Sequence, residues 1–170
     1  EMLKQRGRIR AYGISTDSLA VLKRFNANGT CSVVQVDYSM LNRAPEDEFL
    51  PYCQEHGIAV MVRGPLRRGL LSGKYDLDSV FTDDVRASWN KGEAGRTQYE
   101  AEIAKVAALK SRFAPGEAMV NAAIRYVISH PAHPVAIPGA KSPAQAAMNA
   151  AVGERLFSAE ELAEVRRLLE

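Results

Sequence analysis

Residues 139–145 of the chain carry the pattern of an anion-binding site. Lys141 and Ser142 stand at the start of a predicted helix, because the run SPAQ at 142–145 matches a capping box with proline at the first helical position. Free backbone N–H groups and the helix dipole attract phosphate at such an end, and Gly139 lets a ligand approach the backbone closely. The same residues also fit a capped helix with a solvent-exposed lysine, and the sequence leaves both interpretations open.

Three arginines lie close together around a Gly-Pro pair. Arg63, Arg67 and Arg68 fall within six consecutive positions, and guanidinium groups match the oxygens of phosphate. The cluster therefore predicts either a clamp on an anionic ligand or a solvated charged loop.

Gln35 and Asp37 alternate with Val34 and Val36 along a predicted strand. Alternate residues of a strand point to one face, so the amide and the carboxylate share a face. Ligands of parallel α/β folds lie at the carboxyl ends of the strands, and these polar residues come late in their strand. We therefore predict a binding role for Gln35.

No catalytic or metal-binding motif is readable. There is no Ser-His-Asp arrangement and no recognisable pair of catalytic carboxylates. The three histidines, His56, His130 and His133, are too few and too scattered to predict a zinc site. We expect neither a catalytic residue nor a bound metal in this chain.

Charge and composition narrow the class of protein. The 22 basic and 20 acidic residues give a net charge of +2, which offers no general surface for nucleic acid. No apolar run approaches the roughly 18–20 residues that span a bilayer, so we expect no membrane segment. Cys31 and Cys53 lack the spacing of a metal or disulfide motif. We therefore expect reduced thiols in a cytoplasmic protein.

Short apolar runs alternate with helical patterns. The predicted strands cover 9–15, 32–38, 58–62 and 134–137, and the predicted helices cover 17–25, 46–56, 99–112, 116–129, 142–152 and 158 onward. This alternation predicts an α/β fold with a parallel sheet. Four strand–helix units form a small open sheet or half of an eight-stranded barrel, and periodicity does not choose between them. We expect one partial domain over 1–170 with a long loop insert at 64–98.

Four segments, in order, resemble the second half of aldo-keto reductases: GRIRAYGIS at 7–15, QVDYSMLNR at 35–43, GPLRRGLLSGKY at 64–75 and AIPGAKS at 136–142. Their order and spacing match across nearly the whole chain. That family folds as a (β/α)8 TIM barrel and uses NADPH to reduce the carbonyl groups of aldehydes and ketones. The resemblance implies that the four strands here correspond to strands five to eight, which make half of the barrel.

The resemblance implies contacts to the nicotinamide end of NADPH. Ser15, Thr16 and Gln35 fall where family members hold the carboxamide, although the family usually has Asn at the position of Thr16. Arg63 stands where many members have a Tyr that stacks on the nicotinamide ring.

The resemblance implies a second set of contacts to the rest of the cofactor. Leu66 and Arg68 fall in the loop over the pyrophosphate. Lys141 and Ser142 fall on the 2′-phosphate site, beside the Gly139 already described. Gln145 replaces an Arg of some members, and Asn149 matches a contact to the adenine.

The catalytic residues of the family have no counterpart in this chain. The family's Asp, Tyr, Lys and His come from strands one to four, and the resemblance therefore implies that the chain is inactive alone. The missing N-terminal half, or a second copy in a homodimer, would close the barrel. The alternative is a self-assembling half-barrel that binds a dinucleotide or a partner without turnover.

Overall fold

A four-stranded parallel sheet forms the centre of the fold. The computed structural model describes residues 1–170, and its strands pair in chain order. The strands are β1 (Gly13–Ser15), β2 (Val33–Asp37), β3 (Ala59–Arg63) and β4 (Val135–Ala136). Every pairing is parallel, which confirms the predicted sheet.

The α-helices connect the strands and cover one side of the sheet. They are α1 (Met2–Gln5), α2 (Leu19–Phe25), α3 (Phe49–Glu55), α4 (Arg96–Leu109), α5 (Glu117–Ile128), α6 (Pro143–Ala151) and α7 (Ala159–Leu168). Ser158 and Glu161 form a complete capping box that starts α7. None of these helices has the combination of length and apolar character that crossing a membrane requires.

The sheet has one covered face and one open face. Alternate residues of β2 and β3 are buried on the covered face: Val34, Val36, Val60 and Val62. They pack in the core with side chains of α3, α4 and α5. On the opposite face, Met61 is 37% exposed, and Val135, its partner in register, is 63% exposed. The inner face of a complete α/β barrel is filled by side chains from all its strands. The uncovered apolar face of this sheet is therefore consistent with half of a barrel.

Both edge strands are shorter than the sequence predicts. The first strand begins at Gly13 rather than at residue 9, and the last covers two residues of the predicted 134–137. Each of them has a strand neighbour on one side only, so fewer hydrogen bonds hold the backbone extended. Gly13 allows β1 to approach β2, because a Cβ atom there would lie 1.8 Å from the Val33 carbonyl oxygen.

The segment after β3 is more ordered than the loop predicted at 64–98. It contains short 3-10 turns at Arg67–Ser72 and Ala87–Trp89, and α4 begins at Arg96, ahead of the predicted start at 99. Its aromatic cluster centres on Phe81, which packs edge-on against three rings at centroid distances of 5.1, 5.5 and 5.6 Å: Tyr75, Trp89 and Tyr99. The cluster holds this insert against α4.

Glu46 lies in a buried network and not in the first turn of α3, where the sequence pattern places it. It ends a separate 3-10 turn, Ala44–Glu46. Its Oε1 accepts hydrogen bonds from the hydroxyls of Tyr38 at 2.9 Å and Tyr126 at 2.5 Å, and its Oε2 lies 3.2 Å from Arg166 Nη2. Burial, together with the Glu46 carboxylate, raises the pKa of Tyr126 to about 12. The network joins the end of β2 to α5 and α7.

Candidate functional site

Ser15 and Gln35 meet on the open face, near the carboxyl ends of β1 and β2. They are partners in register, and the Ser15 hydroxyl donates to Gln35 Oε1 at 3.3 Å. Thr16 follows directly, with its N–H bonded to the Gln35 carbonyl at 3.0 Å and its Oγ1 accepting from the Ser18 N–H at 3.1 Å. The two hydroxyls and the amide nitrogen of Gln35 remain available to a planar polar group such as a carboxamide.

Arg63 is paired with two carboxylates at the same edge of the sheet. It is the partner in register of Asp37, and its Nη1 donates to Asp37 Oδ2 at 3.0 Å. Its Nη2 donates to Asp17 Oδ2, and Asp17 Oδ1 accepts from the Asp37 N–H at 2.8 Å. We call these three residues the ion triplet. No sequence pattern predicts these pairings, although each member stands at or just after the end of a strand.

Arg67 is engaged within the protein and is not free to bind an anion. Its Nε and Nη2 donate to both carboxylate oxygens of Glu102 at distances of 2.6 to 3.1 Å. Arg67 and Arg68 have φ values of 48° and 53°, in the left-handed region that L residues adopt at a cost. The bidentate pair with Glu102 holds this turn. Arg67 therefore takes no part in the clamp on an anionic ligand that the sequence allows.

Arg68 and Leu66 lie in the turn that follows β3. The Arg68 Nη1 donates to the Val85 carbonyl at 3.1 Å, and its guanidinium lies 5.7 Å from the centroid of the Trp89 ring. Leu66 starts the turn and packs against the hydrophobic core. These contacts connect the turn at the sheet edge to the insert.

The helix start at Ser142 is confirmed, but the predicted capping box is incomplete. Ser142 Oγ accepts from the Gln145 N–H at 3.2 Å. The Gln145 side chain does not bond the Ser142 backbone, as a capping box requires; its Oε1 accepts from the Lys141 N–H at 2.7 Å. The Gln145 side chain therefore bonds the backbone of Lys141, one residue before the N-cap Ser142, and holds that backbone in place.

The start of α6 fits a phosphate group. We call Gly139, Lys141 and Ser142 the cationic lip. The Lys141 ammonium takes part in none of the ion pairs of the chain, and no atom lies within 4 Å of the place of a Cβ on Gly139. Ala144, at the second position of α6, has no protein acceptor for its N–H. An open, unpaired cation beside a helix start with a free N–H is suited to an anion.

Asn149 lies on the wall of an open apolar cleft. The cleft has a volume of about 480 Å³ and is bounded by α5, β4 and α6. Asn149 is a polar member of a largely apolar lining, and α6 buries none of its residues. The cleft reaches Ala140, which lies in the chain between Gly139 and Lys141 of the cationic lip.

Tyr38 does not belong to the group of polar side chains at this edge of the sheet. Tyr38 follows β2 directly, but its hydroxyl turns to the helix side and donates to Glu46 at 2.9 Å. Burial, with the neighbouring Tyr126 and Glu46, raises the pKa of Tyr38. The chain contains no cluster of three or more His, Cys, Asp or Glu residues that could hold a metal. The polar groups of the open face are therefore arranged to bind a ligand, and Tyr38 is not one of them.

A family model described as "Aldo/keto reductase family" matches residues 1–170. The aldo-keto reductase YhdN of Bacillus subtilis is 28% identical over 167 residues, which make up 96% of this chain and 50% of that protein. The NADH-specific methylglyoxal reductase of Escherichia coli is 40% identical over 78 residues, which make up 46% of this chain and 24% of that protein. The chain thus spans at most about half the length of these curated relatives.

Two solved structures show the same partial overlap. The holo form of aldo-keto reductase AKR11C1 from Bacillus halodurans has a TM-score of 0.76 and 30% identity, over 99% of this chain and 53% of its own. The aldo/keto reductase from Klebsiella pneumoniae in complex with NADP and acetate has a TM-score of 0.64 and 27% identity, over 99% of this chain and 51% of its own. The fold matches about half of such a (β/α)8 barrel.

Proposed function

Since this chain belongs to the aldo/keto reductase family, we propose that it forms the NADPH-binding half of an oxidoreductase that reduces aldehydes or ketones. The observation that carries the proposal is the gathering of hydroxyl, amide and cationic groups at the carboxyl edge of one sheet. Ligands of α/β barrels bind at that edge. The Klebsiella relative, which shares this half of the fold, was solved with NADP.

The nicotinamide end of the cofactor is assigned to the open face. Its carboxamide bonds to Ser15, Thr16 and Gln35, whose polar groups lie together there. The ring lies over the guanidinium of Arg63, the residue that ends the neighbouring strand β3. A guanidinium plane stacks on an aromatic ring, as the Tyr of other members does.

The other end of the cofactor is assigned to the turn after β3 and to the start of α6. Leu66 and Arg68 lie along the pyrophosphate. The 2′-phosphate occupies the cationic lip, where Gly139 gives room, Lys141 gives charge and Ser142 a hydroxyl. Gln145 holds the Lys141 backbone in place, and Asn149 contacts the adenine from the wall of the cleft.

We assign the four strands to positions five to eight of the barrel and the acid–base residues to the other half. The reduced nicotinamide supplies a hydride when it is bound. The residues of this chain at the carboxyl edge of the sheet bind and orient the nicotinamide ring. None of them donates the proton that carbonyl reduction requires. The 170-residue chain alone therefore binds the cofactor without turnover.

The open face needs a partner. Met61 and Val135 expose apolar surface that the rest of a barrel would cover. We propose that the missing N-terminal half, or a second copy of the chain in a homodimer, covers it. We place the protein in the reducing cytoplasm, where the buried Cys31 and Cys53 stay as thiols.

A titration of the full chain with NADPH, followed by cofactor fluorescence, tests this function together with an assay of aldehyde-dependent NADPH oxidation. We expect saturable binding of NADPH and no turnover. Binding of neither NADPH nor NADH contradicts the proposal, and turnover by the chain alone contradicts the placing of the proton donor in another half. Tighter binding of NADH than of NADPH favours instead the specificity named for the E. coli relative.

The alternative function is a self-assembling half-barrel that binds a dinucleotide or a partner and never turns over. The coding sequence upstream of Glu1 separates the two functions. A continuous reading frame that encodes the remaining strands and an acid–base Tyr supports the reductase half. A start codon directly before Glu1 supports the self-assembling half-barrel.

A further inference from the structure

The ion triplet puts an uneven set of charges beside the proposed nicotinamide site. Arg63 contributes one positive charge, and Asp17 and Asp37 contribute one negative charge each, with Arg63 Nη1 3.0 Å from Asp37 Oδ2. The next cation, Arg67, lies 4.0 Å from Asp37 but is bonded to Glu102. The five residues form a chain of alternating charges that runs from just beyond β1, through the ends of β2 and β3, to α4, with a net charge of −1.

Arg63 lies close to the proposed position of the nicotinamide ring, so the charge of the triplet acts on that ring. Gln35 and Arg63 are on the same open face, on neighbouring strands and two registers apart. Strand geometry puts their Cα atoms about 8 Å from each other. The carboxylates bind Nη1 and Nη2 of Arg63, and its side chain is 40% exposed, so part of it is accessible to a ring.

The two forms of the cofactor differ in charge at this ring. The oxidised nicotinamide carries a positive charge and the reduced nicotinamide is neutral. A lone guanidinium under the ring repels the oxidised form, and the two carboxylates offset that repulsion. Resting on the proposed function, we propose that the Asp17–Arg63–Asp37 triplet sets the relative affinity of the site for the oxidised and reduced dinucleotides.

The test compares the dissociation constants of NADP⁺ and NADPH for the full chain and for two variants. One variant removes a negative charge from the triplet and the other removes its positive charge. Asp17→Asn removes a negative charge and keeps the oxygen that accepts the Asp37 N–H. We expect it to raise the ratio Kd(NADP⁺)/Kd(NADPH) about three- to tenfold, after allowance for solvent screening. Arg63→Gln removes the positive charge and lowers the ratio by a similar factor.

Asp47→Asn is the matched control. Asp17, Asp37 and Asp47 line one open cleft beside α3, but Asp47 makes no ion pair with Arg63. Asp47→Asn changes the net charge of the chain by the same amount as Asp17→Asn. We expect it to leave the ratio Kd(NADP⁺)/Kd(NADPH) unchanged within twofold. If Asp17→Asn does not fold, Arg63→Gln carries the test alone, with thermal melting as the check on both.

The outcomes separate this inference from the proposed function. Opposite shifts for the two variants, with an unchanged control, support the triplet's role. A wild-type chain that binds both dinucleotides, with a ratio that neither variant changes, overturns the inference and leaves the proposed function standing. Equal shifts for Asp17→Asn and the control Asp47→Asn overturn it as well, because they report net charge alone. A wild-type chain that binds neither dinucleotide overturns both.

Discussion

Arg63 and Asp37 lie side by side at the ends of β3 and β2, with Arg63 Nη1 3.0 Å from Asp37 Oδ2. The parallel register creates this contact, because residues 26 positions apart in the chain become neighbours at the sheet edge. The same register puts Ser15 beside Gln35. Polar groups from three successive strands thus share one edge, which is the geometry on which the proposed cofactor site depends.

The cationic lip predicts a preference for NADPH over NADH that depends on Lys141. Lys141→Ala removes the unpaired ammonium that we assign to the 2′-phosphate, and a charge-assisted contact contributes about 1.5–3 kcal/mol. We expect the variant to bind NADPH at least about tenfold more weakly and NADH almost as the wild type does. Fluorescence titration with both cofactors measures the effect. Lys105→Ala, on the exposed side of α4, is the control; a loss of the same size there would show that Lys141 has no specific role.

The open face predicts self-association of the chain. Met61→Lys puts a charge on that face and weakens the association about tenfold or more, since burial of a Met side chain contributes about 1.5–3 kcal/mol. Sedimentation velocity over a range of concentrations measures it. Val80→Lys is the matched control, because Val80 is 79% exposed on the insert. A wild-type chain that stays a compact monomer at all concentrations would rule out a face that needs a partner.

The pair between Arg67 and Glu102 predicts an unequal effect of two similar substitutions on α4. Glu102→Gln breaks a bidentate pair whose acid is 7% exposed, and we expect the free energy of unfolding to fall by about 2 kcal/mol. Glu100→Gln breaks the exposed pair with Arg96 and costs about 0.5 kcal/mol or less. Urea unfolding measures both, and equal losses would contradict the role given to Glu102.

His130 predicts a loss of stability in mild acid. Burial disfavours its imidazolium and lowers its pKa, and its Nδ1 accepts the Ala132 N–H at 3.1 Å, which the doubly protonated ring does not do. The unfolded chain therefore takes up the proton first. The stabilisation is complete above the unfolded pKa of about 6.5 and is lost as the pH falls towards the lower pKa of the folded chain.

Thermal melting between pH 8 and pH 5 measures this effect. His130→Asn keeps an acceptor and does not titrate, so its melting temperature falls less with pH than that of the wild type. The control is His133→Asn, at an exposed position with a φ of 48° that Asn tolerates. Parallel pH profiles for the wild type and His130→Asn would show that another group is responsible.

The parallel sheet and the helix starts could be predicted from the sequence because they depend on local patterns. The valines of β2 alternate with polar residues, and Ser142 and Ser158 precede their helices as N-caps do. The edge strands could not be bounded in this way. The length of β1 depends on how far its backbone finds a partner in β2, and apolar spacing does not report that.

The contacts of the candidate site depend on tertiary structure more than the strands and helix starts do, so fewer of them could be predicted from the sequence. Lys141 could be predicted from the helix that follows it, whereas the partner of Arg67 is Glu102, 35 positions away on α4. The sequence pattern places Glu46 at the start of the predicted helix 46–56. In the structure its carboxylate instead joins Tyr38 to Tyr126, which lies 80 positions after Glu46. Pairings of this length follow from the packing of whole elements, and a single sequence contains no spacing rule for them.

Hydrogen–deuterium exchange of the chain with and without NADPH tests the central claim most directly, because it locates the bound cofactor along the backbone. We predict slower exchange on addition of NADPH at 13–16, 33–37, 63–69 and 139–145, which together form the carboxyl edge of the sheet and the start of α6. Protection confined to the helix-covered side around Glu46, or no protection at saturating NADPH, would contradict the claim that this half-barrel holds the dinucleotide at that edge.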